Sequence, residues 1–317
     1  MHFYFPKPKE LEPQPIQKAT GRRLNSTALA HRRTLRKRIP SLRRQLSKLF
    51  RSAGKNVNRA AIERAIRLGR VENFDDITDF AELEELLQDV KQPLKTTVLE
   101  AAADATTRLP TVIKPDFAFD TLHPRLDKWI DDSGSLLVQN VTDKAKSAID
   151  AAVRESFTRN VHPNTAAKII QGSIGVDDRQ AISLVKFQEK LEQRGIKGDK
   201  LLNMVSKKSD EYIADRSRRI ARTEIQNALN EGHKQTWQQV SDEGLVDLPK
   251  TKKRWRTFIQ DDSAQGCIDN DGLVIDFDAQ WPWTDYKGIV RMLDIPSESH
   301  PNCNCIFEVI PALPDGM

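Results

Sequence analysis

Aromatic residues are scarce in this chain, 6% of 317 residues, and there are only three cysteines. So small and odd a number excludes a disulfide scaffold. No uninterrupted apolar run reaches about 18 residues, which excludes a transmembrane helix. A Gly-rich phosphate loop, a Ser-His-Asp order and a His-Glu-x-x-His pair are all missing, so the common nucleotide, hydrolase and metalloprotease signatures are excluded. The first residues, Met1-His2-Phe3-Tyr4-Phe5-Pro6, lack the basic-then-apolar order of a signal peptide, and a cytosolic product is expected. With 38% apolar and 30% charged residues, the composition predicts a slender, mostly helical assembly with extended parts.

Acid is what the N-terminal stretch lacks most. Residues 1–70 hold 19 Lys and Arg against 3 Asp and Glu, a charge of +16, and the remainder carries −11. The pattern is a basic arm on a mildly acidic body. Within it, Leu35, Ile39, Leu42, Leu46 and Leu49 recur every three or four residues and mark one apolar helix stripe. Arg32, Arg33, Arg36, Lys37, Arg43, Arg44, Lys48 and Arg51 fill the other faces. They are candidate contacts to nucleic-acid phosphate or to an acidic protein surface. No base-reading fold accompanies them, so contact with double-stranded DNA would be sequence-independent and salt-sensitive.

Three regions are expected: an extended tail over 1–20, a basic helical arm and helical region over 21–115, and a third region over 116–317. Pro40 is expected to bend or break the first helix, and Gly54 and Gly69 to stop helices. Pro93 interrupts the next helical pattern, and Pro110, Pro115 and Pro124 mark the boundary loop. Helices follow over 125–240: a long one over 125–160, one capped by Asn164-Thr165, one opening at Val176-Asp177-Asp178, and the strongest over Ser209–Val240. Lys197–Lys208 reads as a polar link. After Gly244 the period shortens to two, and Lys252–Ile259, Leu273–Phe277 and Cys305–Ile310 read as strands of a β-rich unit over 250–312. The fold class is therefore α+β.

The cysteines cluster with a histidine. Cys267 lies in an Asp/Asn/Gly-rich loop, and His300-Pro301-Asn302-Cys303-Asn304-Cys305 closes the unit. Cys303 and Cys305, two apart on an extended segment, share a face. With His300 and Cys267 they could form a Cys3His site for structural Zn²⁺. The plain alternative is a set of reduced, half-buried thiols beside a turn histidine. Asp261-Asp262 and Asp269-x-Asp271 are acidic, but the EF-hand ligand series is incomplete and they read as turn residues. Trp281-Pro282-Trp283 is either an exposed docking patch or the lid of a small core.

Together these segments resemble the phage Mu F-like minor head proteins, a head morphogenesis family associated with the portal of tailed phages. The resemblance runs from about Pro124 to Ile310. It is carried by Leu126-Asp127-Lys128-Trp129-Ile130, Val138-Gln139-Asn140-Val141-Thr142, Ile220-Ala221-Arg222-Thr223-Glu224-Ile225, Lys253-Arg254-Trp255, Asp271-Gly272 and His300 to Cys305. Cys267 stands where the family often has histidine, which preserves a soft ligand. Asn304 stands where it often has arginine, so no salt bridge carries over there.

The resemblance implies a virion structural protein inside the capsid, made in the host cytoplasm and bound near the portal protein. It also implies major capsid or scaffold protein as neighbours, packaged DNA as a contact, no membrane and no catalysis. Arg222, Glu224 and Trp255 are expected to clamp the β-rich unit, Arg222 onto carbonyls or an acid such as Asp261, and Glu224 onto amides or a base. Two apart on a helix, Arg222 and Glu224 do not pair with each other. The alternatives are a metal- or nucleotide-dependent enzyme using Arg222, Glu224 and the cysteines, with Glu224 as its general base, and a stand-alone DNA-binding protein acting through residues 22–70.

Overall fold

A computed structural model describes residues 26–257 and 263–314. The 1–20 tail, Asp261 and Asp262 lie outside the described residues. The fold is α+β: eight helices form a body, and a small antiparallel unit follows.

Helix α1, Ser26–Lys55, runs through Pro40 without a break. Proline removes one intrahelical donor, but Pro40 is exposed, and its flanks hold the helix down. Leu42, Leu46 and Phe50 are fully buried at a spacing of four, with Leu35, Ile39 and Leu49 packed beside them. Helix α2, Arg59–Leu68, is capped by Asn58 and ends on Gly69, whose φ of 66° suits a residue without Cβ. Helices α3, Phe80–Gln88, and α4, Lys91–Thr107, meet near Pro93, which sits in the first turn of α4 where a missing donor costs little.

Helix α5, Pro124–Thr158, is followed by α6, Pro163–Ser173, and α7, Asp178–Gln193. The cap of α6 is His162, whose Nδ1 accepts from Asn164 N at 3.3 Å, rather than Asn164-Thr165. Asp177 and Gln180 close a capping box on α7.

Helix α8, Gly198–Asp242, is 45 residues long and is the spine of the molecule. At 1.5 Å per residue it spans roughly 68 Å. It absorbs the stretch expected as a polar link, because Leu201, Val205 and Ile213 are buried along one face and Ser209 completes the ladder by donating to Gly172 O at 3.0 Å. Against α4 the approach is close: a Cβ at Gly232 would collide with the Val98 carbonyl. Side chains from α1 through α8 share one core that includes residues on both sides of position 115.

The C-terminal unit contains β1, Lys252–Arg256, short helix α9, Gln265–Asn270, β2, Val274–Asp276, β3, Trp281–Thr284, β4, Val290–Leu293, and β5, Ile306–Ile310. Its sheet has the antiparallel order β2-β1-β5, with Trp255 opposite Phe307, and β3-β4 is a separate hairpin. Cys267 therefore lies on a helix, not in a loop. Trp281 and Trp283 point inward while Pro282 is exposed, so this motif is part of the core. A second core joins Trp255, Trp281, Trp283 and Phe307 to Trp237 and Val240 of α8, and to Leu109, Ile113 and Phe117 of the connector. The aromatics, scarce overall, are concentrated here, and Trp255 meets Trp281 edge-to-face at 5.5 Å.

Candidate metal centre and its clamp

Two structural pieces bring the sulfurs together. Helix α9 supplies Cys267, and the turn before β5 supplies Cys303 and Cys305. Asn302 in that turn has a φ of 65°, a left-handed conformation that asparagine tolerates better than most residues. All three thiols are buried and unpaired by disulfide, and their Sγ atoms lie within 4.8 Å of one another. The edge of a tetrahedron with Zn–S bonds of 2.3 Å is about 3.8 Å, so a small inward adjustment would reach a common ion.

The surroundings treat the sulfurs unequally, favouring thiolate at Cys267. Cys305 N–H points at Cys303 Sγ at 3.3 Å, Ser299 Oγ lies 3.5 Å from Cys267 Sγ, and Thr257 Oγ1 lies 3.4 Å from Cys305 Sγ. Hydrogen bonds from Cys303 and Cys305 pull the Cys267 thiol down, and those with Cys267 and Cys303 push Cys305 up. Bonds to Cys267 and Cys303 push His300 up to about 10. Its Nδ1 faces Pro301 O at 3.0 Å. The ring stands 6.1 Å from Trp283. Three soft donors, an adjoining imidazole and an N–H···S contact fit a soft divalent cation.

Helix α8 holds this corner. Arg222 Nε donates to Asn304 Oδ1 at 3.2 Å, and Thr223 Oγ1 accepts from Asn302 N at 3.1 Å. Asn230 Nδ2 donates to Cys305 O at 3.0 Å and to Ser297 Oγ at 2.9 Å, and Gln226 Nε2 reaches Cys305 O at 3.4 Å. These positions recur along one stripe of α8. Asparagine thus meets the Arg222 guanidinium with a neutral acceptor. Trp255 is fully buried and donates Nε1 to Thr257 Oγ1 at 2.8 Å.

Glu224 makes no hydrogen bond or ion pair to the C-terminal unit among the described residues, and desolvation pushes its carboxyl up to about 7. Thr223, Gln226 and Asn230 belong to the clamp although no motif in the sequence singles them out for it. Asp269, expected in a turn, lies in α9 and accepts from Gln265 one helical turn earlier, whereas Asp271 sits in the turn after it and accepts from Thr257 N.

The basic residues of α1 sit far along the chain from this corner. Arg32, Arg33, Arg36, Arg43, Arg44 and Lys48 are exposed. Lys37 bonds Glu100 at 2.7 Å and Arg51 bonds Asp210 at 2.6 Å. No helix among the described residues is long and apolar enough to cross a membrane.

Comparison with protein-family models, curated proteins and solved structures finds no match.

Proposed function

We propose that the chain is a structural minor head protein of a tailed phage or prophage, bound near the portal inside the capsid. It acts in head assembly and in handling packaged DNA, with portal and major capsid or scaffold protein as neighbours, and performs no catalysis. The observation that carries this reading is convergence. The scattered segments behind the family resemblance, Arg222-Thr223, Trp255, Asp271 and Asn302 to Cys305, meet in one corner through direct contacts. An acid-free, solvent-facing arginine helix supports the DNA contact. In purified particles the protein should be present in few copies per head, and heads made without it should fail to mature or to deliver DNA. Its absence from particles, or full infectivity without it, would sink the reading.

Within this reading Cys267, His300, Cys303 and Cys305 hold one Zn²⁺. The ion would cross-link α9 to the turn before β5 and so replace core that a small unit lacks. About one zinc per chain is expected from elemental analysis, with loss of both metal and thermal stability in Cys303→Ser and Cys305→Ser. Metal-free protein with three freely titrating thiols would overturn it. The raised Glu224 carboxyl is the observation that favours an enzyme instead. Against it, Glu224 is absent from the cleft that the cysteines line, and a general base must reach the reacting atom.

A further inference from the structure

A cleft of about 410 Å³ opens between α8 and the turn before β5, and one of its walls is arginine. Arg218, Arg219 and Arg222 line it, opposite His300, Asn302 and Asn304. Arg218 and Arg222 are four apart and share a helix face, with Arg219 beside them. Carboxylates hold two of the three: Asp215 lies 2.7 Å from Arg218 and 3.5 Å from Arg219, and Asp177 lies 3.3 Å from Arg219. Arg222 has a neutral partner, Asn304, which accepts its Nε proton. Because Asn304 uses its oxygen for that bond, its amide nitrogen remains a donor.

Among the described residues three guanidiniums thus meet two carboxylates, in a concave space. Guanidinium forks match the oxygens of phosphate, and charge-assisted bonds of this kind are about twice as strong as neutral ones. The volume falls within the ~300–1,000 Å³ of small-ligand sites, enough for a phosphate group and part of what carries it. We propose that this cleft binds a phosphate oxyanion through Arg218, Arg219 and Arg222. The site requires no metal, so it stands whether or not the cysteines hold zinc. The phosphate can be free, as inorganic phosphate or a nucleotide, or it can belong to a nucleic-acid strand.

Calorimetric titration of the full-length protein at fixed salt decides this, with inorganic phosphate, adenosine monophosphate and a short oligothymidine lacking terminal phosphates as probes. At least one probe should bind saturably and raise the melting temperature. Binding of phosphate or nucleotide but not oligothymidine identifies a free phosphate, and the converse identifies a strand. Arg218→Gln should weaken the binding about tenfold, as loss of a charged hydrogen bond does, without changing the melting temperature in phosphate-free buffer. Arg222→Lys keeps the charge but loses the fork, and should weaken binding while the protein stays folded. The proposal is wrong if no probe binds, as when a carboxylate of the chain itself satisfies Arg222. It is equally wrong if both variants bind every probe as tightly as the unmodified protein.

Discussion

Across its thirty positions α1 carries no acidic residue, whereas α8 sets acids and amides beside its arginines. The contrast shows in where the guanidiniums go. Along α1, Arg32, Arg33, Arg36, Arg43 and Arg44 face solvent, and the ties to the body are Lys37 and Arg38 on Glu100 and Arg51 on Asp210. Along α8, Arg216 is buried, donates to Val176 O at 2.6 Å and lies 5.4 Å from the Phe50 ring of α1. Burial lowers it to about 10, so it stays ionised at neutral pH. Solvent-facing arginines add little to stability but project a field over a distance set by salt. Desolvated ones are positioned donors, costly to bury and costly to remove. One residue type thus makes a surface in α1 and a joint in α8.

The largest test acts on the seam between these two helices. His31 of α1 and His233 of α8 are buried with their ring centroids 6.5 Å apart. Neither Nδ1 has a hydrogen-bond partner among the described residues. Desolvation, with Arg108 nearby, lowers both to about 3. Their folded values lie below the unfolded 6.5, so the folded state binds fewer protons. Stability is complete above about pH 6.5 and is lost as pH falls toward 3. At pH 5 each imidazole should cost about 2 kcal/mol, roughly 4 kcal/mol for the pair, at ~1.36 kcal/mol per pH unit. Denaturant unfolding at pH 7 and pH 5 measures the drop, and His31→Asn should remove about half of it. A drop that is unchanged in the variant would mean that the seam is not what acid attacks.

How legible this was depended on the kind of signal. The apolar stripe of α1, the opening of α7 at Asp177-Asp178 and the strands around Trp255, Ile275 and Phe307 follow from local periodicity and turn chemistry. The Cys267, Cys303 and Cys305 cluster was legible because few residue types offer soft donors. The spacing between strands hid the β3-β4 hairpin, since Trp281-Pro282-Trp283 contains a proline that an outward, edge position tolerates. Pro40 looked like a break because propensity is local, and tertiary burial of Leu42, Leu46 and Phe50 overrides it. The first turns of α8 looked polar because Lys200, Lys207 and Lys208 obscure the spacing of four between Leu201 and Val205. The clamp through Thr223, Gln226 and Asn230 was not legible, since it depends on which carbonyls the C-terminal turn presents to α8.

The smallest expected change in stability comes from the surface side of the comparison. Arg43 and Arg44 are exposed on α1, and no carboxylate pairs with them among the described residues. Replacing both with glutamine should alter unfolding free energy by no more than about 0.5 kcal/mol, as for ordinary surface positions. Binding to duplex DNA should respond differently. Each phosphate neutralised contributes about 0.9 to the slope of log affinity against log salt, so the slope should shrink by roughly 1.8 if both arginines contact phosphate. Filter binding across a salt series measures it. A destabilised variant would place Arg43 and Arg44 among the joints, like Arg216. A stable variant with an unchanged slope would leave them as solvated charge that touches no DNA, and α1 would then face an acidic protein surface instead.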